Sequence, residues 1–339
     1  MPPETILITG GCGFLGQHLS QALLTELLEV RLRLVDLHSN PYPLVDLSSD
    51  PRVELRAGLD ICDTEAIRPI FQDVDVVVHL ASLISQSLHD REHLHQVNVL
   101  GTRSVLAAAS QAGVDLFMHI GSVAALGYNN DPHHPADETF RFDWSLAESR
   151  RKYYMLSKHQ AGQEVEAYRS QGRAAVILHP GLMFGPGDHR NTAKLIRTIS
   201  RNRMLVSAAG GNSVVDVRDV ARGIVAALQH GITAGDYLLS GWNLSFREIA
   251  RTIARETGGR PPRIILPTAF RSLLYWPLLA FESIPGNRPS LSVADLDSAF
   301  CYRYFDHSRA ERDFGWTPAI PFHQSIADAY AWMKDHGLT

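Results

Sequence analysis

Cysteine is scarce: the 339 residues hold three, Cys12, Cys62 and Cys301. They lie far apart, form no C-x-x-C pair and leave an odd number, which excludes a disulfide framework as the organising device. A reduced, intracellular setting, cytoplasmic and at most peripheral to a membrane, is the expectation. Long apolar runs are missing too. No stretch reaches the roughly 18 apolar residues of a membrane span, and MPPETILITGG lacks the basic segment and longer apolar run of a secretory signal. There is no internal repeat, low-complexity tract or long basic run, and the formal net charge is -4. Broad electrostatic attraction to nucleic acid or an anionic membrane is therefore not indicated. What is present, 45% hydrophobic and 20% charged residues, is enough for a sizeable core and two domains.

The chain alternates strand and helix patterns. TILITGGCGFLGQHLSQALL runs from a β-branched apolar stretch through glycines into helical spacing at Leu15, Leu19, Leu23 and Leu24. VRLRLVDL reads as a strand ending at Asp36, RVELRA as another, and VDVVVHLAS as one buried on both faces. SVLAAASQAG is helical, DLFMHIGSVAAL is strand then loop, and AAVILHPG is again a buried strand. This alternation predicts an α/β fold with a doubly wound parallel sheet of Rossmann type, whose ligands bind beyond the carboxyl ends of the strands. Gly10, Asp36, His79, Ser122 and Pro180 all fall at such ends. After Pro180 the pattern loosens into turn-rich GPGD, AAGGN and GGRPPR. The expected domains are therefore 1–180 with 213–241 for the dinucleotide, and 181–212 with 242–339 for a smaller, substrate-selecting lobe.

In TGGCGFLG, Gly10, Gly13 and Gly16 stand at a strand-to-helix junction. Glycine permits the tight turn and the close approach of a pyrophosphate to backbone N–H groups, and a helix N-terminus favours negative charge. Asp36 follows at about the ~20-residue spacing of the ribose-binding acid. It can accept from both ribose hydroxyls, a 2'-phosphate would meet like charge, and no arginine follows at once. NAD is preferred to NADP.

KYYMLSK, residues 152 to 158, sets two tyrosines before one lysine. At about 100° per residue, Tyr154 and Lys158 share a helix face, whereas Tyr153 is turned about 140° away from Lys158. A phenol of ordinary pKa about 10 is a poor base, and a neighbouring cation lowers that value. Tyr154 is the candidate proton-transfer group.

With TGGCGFLG, GLDICD, HLAS, VNVLGT, HIGSVAALG, YMLSK, HPGLMFGPGD and VVDVRDVA in order, the sequence resembles an extended short-chain dehydrogenase/reductase over nearly its whole length. The resemblance implies Ser122 as the hydroxyl that orients the substrate oxygen, Tyr154 as acid/base, and Lys158 as holder of the nicotinamide ribose. It implies Asn98 as the position whose backbone helps relay protons. For the cofactor it implies the loop Gly10, Gly13, Phe14, Leu15 and Gly16, then Asp36, Asp60 and Ile61. Leu80, Ala81 and Ser82 line the cofactor, and Pro180 and Gly181 pack beside the nicotinamide. A homodimer through the helices holding His93 and Tyr154 is a further implication.

Sugar-nucleotide dehydratases of this family carry Asp-Glu after the Ser/Thr position, where this chain has Val123 and Ala124. Dehydration loses its proton carriers. The arginine that clamps a sugar diphosphate is replaced in GGNSVV by Asn212 and Ser213, and Arg218 looks out of register for the task. PPRIILPTAFRSLLYWPLLAF and YRYFDHSRAERDFGWTP look more like the 3β-hydroxysteroid dehydrogenase and dihydroflavonol reductase branch. The expectation is an NAD-dependent oxidoreductase acting on a secondary alcohol or ketone of a largely apolar, sterol-like substrate. A sugar-nucleotide epimerase with bound NAD and a non-catalytic dinucleotide sensor are the alternatives. His89, His93 and His95 have spacing that could clip a metal, but without H-E-x-x-H a solvated or interface helix is the reading, and no metal is expected. DPHHPADE, 131 to 138, reads as a mobile loop at the active-site mouth. The run 272–281, too short to cross a bilayer, is core, a pocket lid or a peripheral membrane contact.

Overall fold

The computed structural model describes residues 3–44 and 46–339. The strands in chain order are β1 (Thr5–Thr9), β2 (Arg31–Asp36), β3 (Val53–Ala57), β4 (Val76–His79), β5 (Leu116–Ile120), β6 (Ala175–Pro180), β7 (Leu182–Phe184), β8 (Val206–Ala208), β9 (Gly211–Asp216), β10 (Ala234–Leu239), β11 (Trp242–Ser245), β12 (Ile264–Leu266) and β13 (Tyr302–Arg303). Seven of them make one parallel sheet in the order β10-β6-β5-β4-β1-β2-β3. Every neighbouring pair in it is parallel. The order reverses between β1 and β4, so the crevice for a ligand opens beyond Thr9 and His79.

Strand alternation divides the core into two layers. Ile6 and Ile8 pack with Leu19, Leu23, Ile224 and Trp316 on one face, against helices Phe14–Glu26 and Val217–Gln229. Leu7, Val77, Phe117 and Ile177 pack with Val105, Val165 and Tyr168 on the other, under helices Thr102–Ala112 and Tyr153–Ser170. Both faces are covered, which is why β4, β5 and β6 are continuous apolar runs. Gly113 closes the Thr102–Ala112 helix at φ 75°, a conformation that other residues adopt at a cost.

The smaller lobe is built around β9. One edge of β9 pairs antiparallel with β11; the other pairs with β7 at Val214–Asp216 and with β13 at Gly211–Asn212. Residues 213–216, expected with the larger domain, are thus paired in the second sheet, while the Val217–Gln229 helix and β10 return to the first. Helices Thr192–Ser200, Phe246–Thr257 and Phe322–Asp335 enclose that lobe's core of Phe184, Ile196, Ile253 and Ile326. A capping box, Ser245 with Glu248, starts the second of these.

The apolar run expected to be interrupted at Pro277 forms a single helix, Phe270–Glu282. Proline forfeits the bond to the carbonyl four residues back. Here that carbonyl belongs to Leu273, which is 66% exposed, so water can replace the lost donor. No helix among the described residues is long and apolar enough to cross a membrane.

Candidate active site

The turn after β1 leaves room for a ligand because it carries no side chains. Gly10 has φ 71°, and a Cβ there would stand 2.8 Å from the Ala81 nitrogen. A Cβ on Gly16 would stand 2.5 Å from the carbonyl oxygens of Gly10 and Gly11. Gly13 precedes the Phe14–Glu26 helix and no side chain caps it, so the first N–H groups, at Phe14, Leu15 and Gly16, are free for an anion. A dinucleotide pyrophosphate fits this cradle. At the end of β2, Asp36 accepts the Cys12 N–H through Oδ2 at 3.0 Å and the His38 N–H through Oδ1 at 3.2 Å. Burial pushes its carboxyl above the ordinary range, and those donors pull it back. The acid is thereby fixed beside the glycine turn. Asp60 lies after β3 and turns the chain by accepting the Cys62 N–H at 2.9 Å, while Ile61 packs beneath Gly101.

Leu80, Ala81 and Ser82 run past the glycine turn, with the Leu80 N–H on the Thr9 carbonyl at 3.0 Å. A buried network holds them there. The Thr102 hydroxyl donates to the Asn98 carbonyl (2.6 Å), so it accepts from His79 Nε2 (3.0 Å), and His79 Nδ1 in turn accepts from the Thr9 hydroxyl (2.6 Å). Burial, with Lys158 adding to it, holds His79 down at about 3, a neutral connector. Asn98 sits in a π-helical segment, His95–Gly101. Its side chain accepts the Leu83 N–H (2.7 Å) and donates to the Leu83 carbonyl (3.0 Å) and to Ser157 Oγ (2.9 Å). It joins the Leu80–Leu83 strip to the helix that carries Tyr154.

Ser122 and Tyr154 face each other across the crevice. The Ser122 hydroxyl accepts the Ala124 N–H at 3.1 Å and lies close enough to Tyr154 to favour its ionised form. Burial still pushes the phenol up to about 12, offset in part by Ser122 and by the Arg303 guanidinium. Lys158 donates to the Ile120 carbonyl at 3.1 Å, and burial brings its ammonium down to about 8. Tyr153 is turned away, beneath Arg91 at 5.1 Å. Pro180 ends β6, Gly181 donates to the Leu239 carbonyl at 3.2 Å, and a Cβ on Gly181 would stand 2.8 Å from the Ser213 carbonyl. His179 donates through Nδ1 to the Ser122 carbonyl at 3.2 Å, locking β6 to the serine turn.

Every residue expected from the sequence therefore lies along one edge of the sheet. The profile of the NAD dependent epimerase/dehydratase family matches residues 6–239. The chain belongs to that family. It is an NAD-dependent oxidoreductase with a Rossmann-type sheet. Among its relatives is the "Putative dihydroflavonol 4-reductase" of Synechocystis sp., 32% identical and covering 98% of this chain and 96% of that one. "Sterol demethylase protein B" of Methylococcus capsulatus is 28% identical over 98% and 99% of the two chains. The solved structure of gox2253 superposes with a TM-score of 0.81 at 30% identity over 99% of both chains.

Two features of this family member escaped the sequence reading. One is the Thr9–His79–Thr102 network, invisible because its members are distant in sequence. The other is Arg303, the cation whose charge acts on Tyr154 where Lys158 was expected to do so. The motif-like YRYFD around it was the only signal.

Proposed function

We propose that this protein interconverts a secondary alcohol and a ketone on a largely apolar, sterol-like substrate, with Tyr154 moving the hydroxyl proton. The observation that carries the reading is the Ser122–Tyr154 pair facing the crevice beside buried Val123 and Ala124. It offers a hydroxyl donor and a phenol to one substrate oxygen, and no carboxyl pair to eliminate water. NAD, when bound, supplies the hydride acceptor and a positive charge beside the phenol. Ser122 orients the alcohol, Tyr154 takes its proton, and Lys158, fixed on the Ile120 carbonyl, holds the ribose hydroxyls and adds a charge at that edge. Asn98 keeps the cofactor strip against the Tyr154 helix.

Apolar character is supported by what surrounds Tyr154: Ala124, Tyr128, Phe142, Trp144 and Met155 form one cluster with it. A sterol in the name of the Methylococcus relative agrees. The sugar-diphosphate clamp has no substitute in Arg218, which is committed to Asp216 and Asp328 at 2.8 Å each. Helix Phe270–Glu282 would border the lipophilic pocket and touch the membrane from which substrate is drawn. A homodimer through the helices of His93 and Tyr154 completes the reading and is tested by sedimentation.

Absorbance of reduced nicotinamide with a panel of lipophilic alcohols and sugar nucleotides tests this. Net accumulation with the alcohols is expected. Sugar interconversion without net reduction would establish an epimerase, and binding without turnover a sensor.

A further inference from the structure

Cations outnumber acids beside Tyr154. Asp297 is fully buried, and both its oxygens are taken: Oδ2 by Lys152 at 2.8 Å and by Arg271 Nη2 at 2.8 Å, Oδ1 by Arg271 Nε at 2.6 Å. Arg150 stands 3.8 Å from Oδ1. Burial alone would raise this carboxyl, and the cations outweigh it, holding it below its usual range. Arg303 is left over. Its Nη2 donates to Ser298 Oγ at 2.7 Å, a neutral oxygen that also receives Lys152 Nζ at 2.9 Å, and approaches Met155 Sδ at 3.7 Å. Its Nε is buried with no hydrogen-bond partner.

The place of Arg303 gives the excess charge a meaning. In the parallel pairing of β13 with β9, Arg303 stands opposite Asn212, whose buried Oδ1 also lacks a partner. Met155 follows Tyr154 on the helix, and the guanidinium charge reaches the phenol. A buried arginine without a carboxylate is costly, and an anion presented in the plane of its fork is its matching partner. The surrounding Tyr128, Phe142 and Trp144 leave the rest of that ligand an apolar environment.

We propose that Arg303 is an anion-binding subsite for a carboxylate carried within a few bonds of the carbinol carbon, so that the substrate is a lipophilic hydroxy acid or the matching oxo acid. This rests on the alcohol-ketone reading and narrows it. A sugar nucleotide could bring an anion too, but its diphosphate lies beyond a sugar ring from the reacting carbon, whereas Arg303 stands beside the catalytic phenol.

The test uses the full chain loaded with NAD. Turnover is measured with 3-hydroxydecanoate, its methyl ester and UDP-glucose, and binding of decanoate by calorimetry, for wild type, Arg303→Gln and Arg303→Lys. The acid should exceed the ester in kcat/KM by about 10- to 100-fold, the worth of a charged hydrogen-bonded pair. Arg303→Gln should remove that preference mainly through KM and weaken decanoate by a similar factor, with Arg303→Lys recovering part of both. Oxidation of the ester as readily as the acid by wild type overturns the subsite and leaves the dehydrogenase reading intact, with no variant needed. Arg303-dependent decanoate binding without oxidation of either compound keeps the subsite and overturns the dehydrogenase reading. Absence of decanoate binding, or Arg303-dependent conversion of UDP-glucose alone, overturns the carboxylate assignment.

Discussion

Lys158 donates from Nζ to the carbonyl of Ile120 at 3.1 Å, fastening the helix of Tyr154 to the strand that ends at Ser122. The two hydroxyls that must share one substrate oxygen are thus set at a fixed separation by a third residue. His179, bonded to the Ser122 carbonyl, fixes the same turn from the other side. Preorganisation of this kind is what lets proton transfer contribute to rate without rearrangement.

Tyr154→Phe should retain NAD binding and lose turnover by about 10²–10⁴-fold, the usual worth of a positioned proton carrier. Tyr153→Phe should change turnover little, because Tyr153 lies under Arg91 and away from Ser122. Equal losses in steady-state assays of the two variants would refute the assignment of the phenol.

Lys158 gives a prediction in pH. Burial holds its folded-state pKa at about 8, below the model value of 10.5. Between those values the unfolded chain binds more protons, so this group makes stability rise with pH across the window. Below pH 8 the cost of a buried ammonium is present in full. Lys158→Met should therefore be inactive yet more stable than wild type at pH 7, with the gap shrinking towards pH 10. Lys152, depressed to about 8 mainly by burial, titrates alike in both proteins and cancels. Urea unfolding at pH 7, 8.5 and 10 reads the gap directly; a gap independent of pH would rule out a buried ammonium at Lys158.

The elements legible in the sequence are those whose causes are local. The glycine turn, the acid at the end of β2 and the Tyr154–Lys158 pair are each fixed by spacing within one strand-turn-helix unit. So is the parallel sheet, since strands buried on both faces must be continuously apolar. Arg303 was not legible, because its neighbours Met155, Ser298 and Asn212 meet only through the tertiary pairing of β13 with β9. The membership of 213–216 in the second sheet was hidden for the same reason: Gly211–Asp216 is apolar enough for either sheet, and its partners β7, β11 and β13 decide. Pro277 misled because its cost depends on whether water reaches one carbonyl, which periodicity does not report.

Asp36→Ala should weaken NADH far more than NADPH, narrowing the preference by about tenfold or more, since it removes ribose hydrogen bonds and the repulsion of a 2'-phosphate together. It also removes the acceptor of the Cys12 N–H, so some loosening of the glycine turn accompanies it. Asp36→Asn separates the two effects by keeping an acceptor oxygen without the charge. Fluorescence titration of both variants with both reduced cofactors measures the ratios. A preference unchanged in both would place the ribose elsewhere.

Helix Phe270–Glu282 has two apolar faces with different neighbours, and this allows its role to be divided. Leu274 and Leu278 pack against Ala208, Leu296 and Phe300, while Tyr275 and Leu279 are buried with Val293. Leu273 and Trp276 point outward, 66% and 63% exposed. Replacing Leu274 and Leu278 together by serine should cost about 2 kcal/mol or more for each leucine removed from the core. Replacing Leu273 and Trp276 by serine should leave stability within about 0.5 kcal/mol, since neither side chain has a packed partner to lose. If the outer face meets a lipid surface, this second variant alone should sediment less with phosphatidylcholine vesicles and show a raised KM for a vesicle-borne substrate, with an unchanged KM for a short, water-soluble alcohol. Wild type that ignores vesicles, or an outer-face variant that matches wild type in every assay, would confine the helix to its inner, structural face.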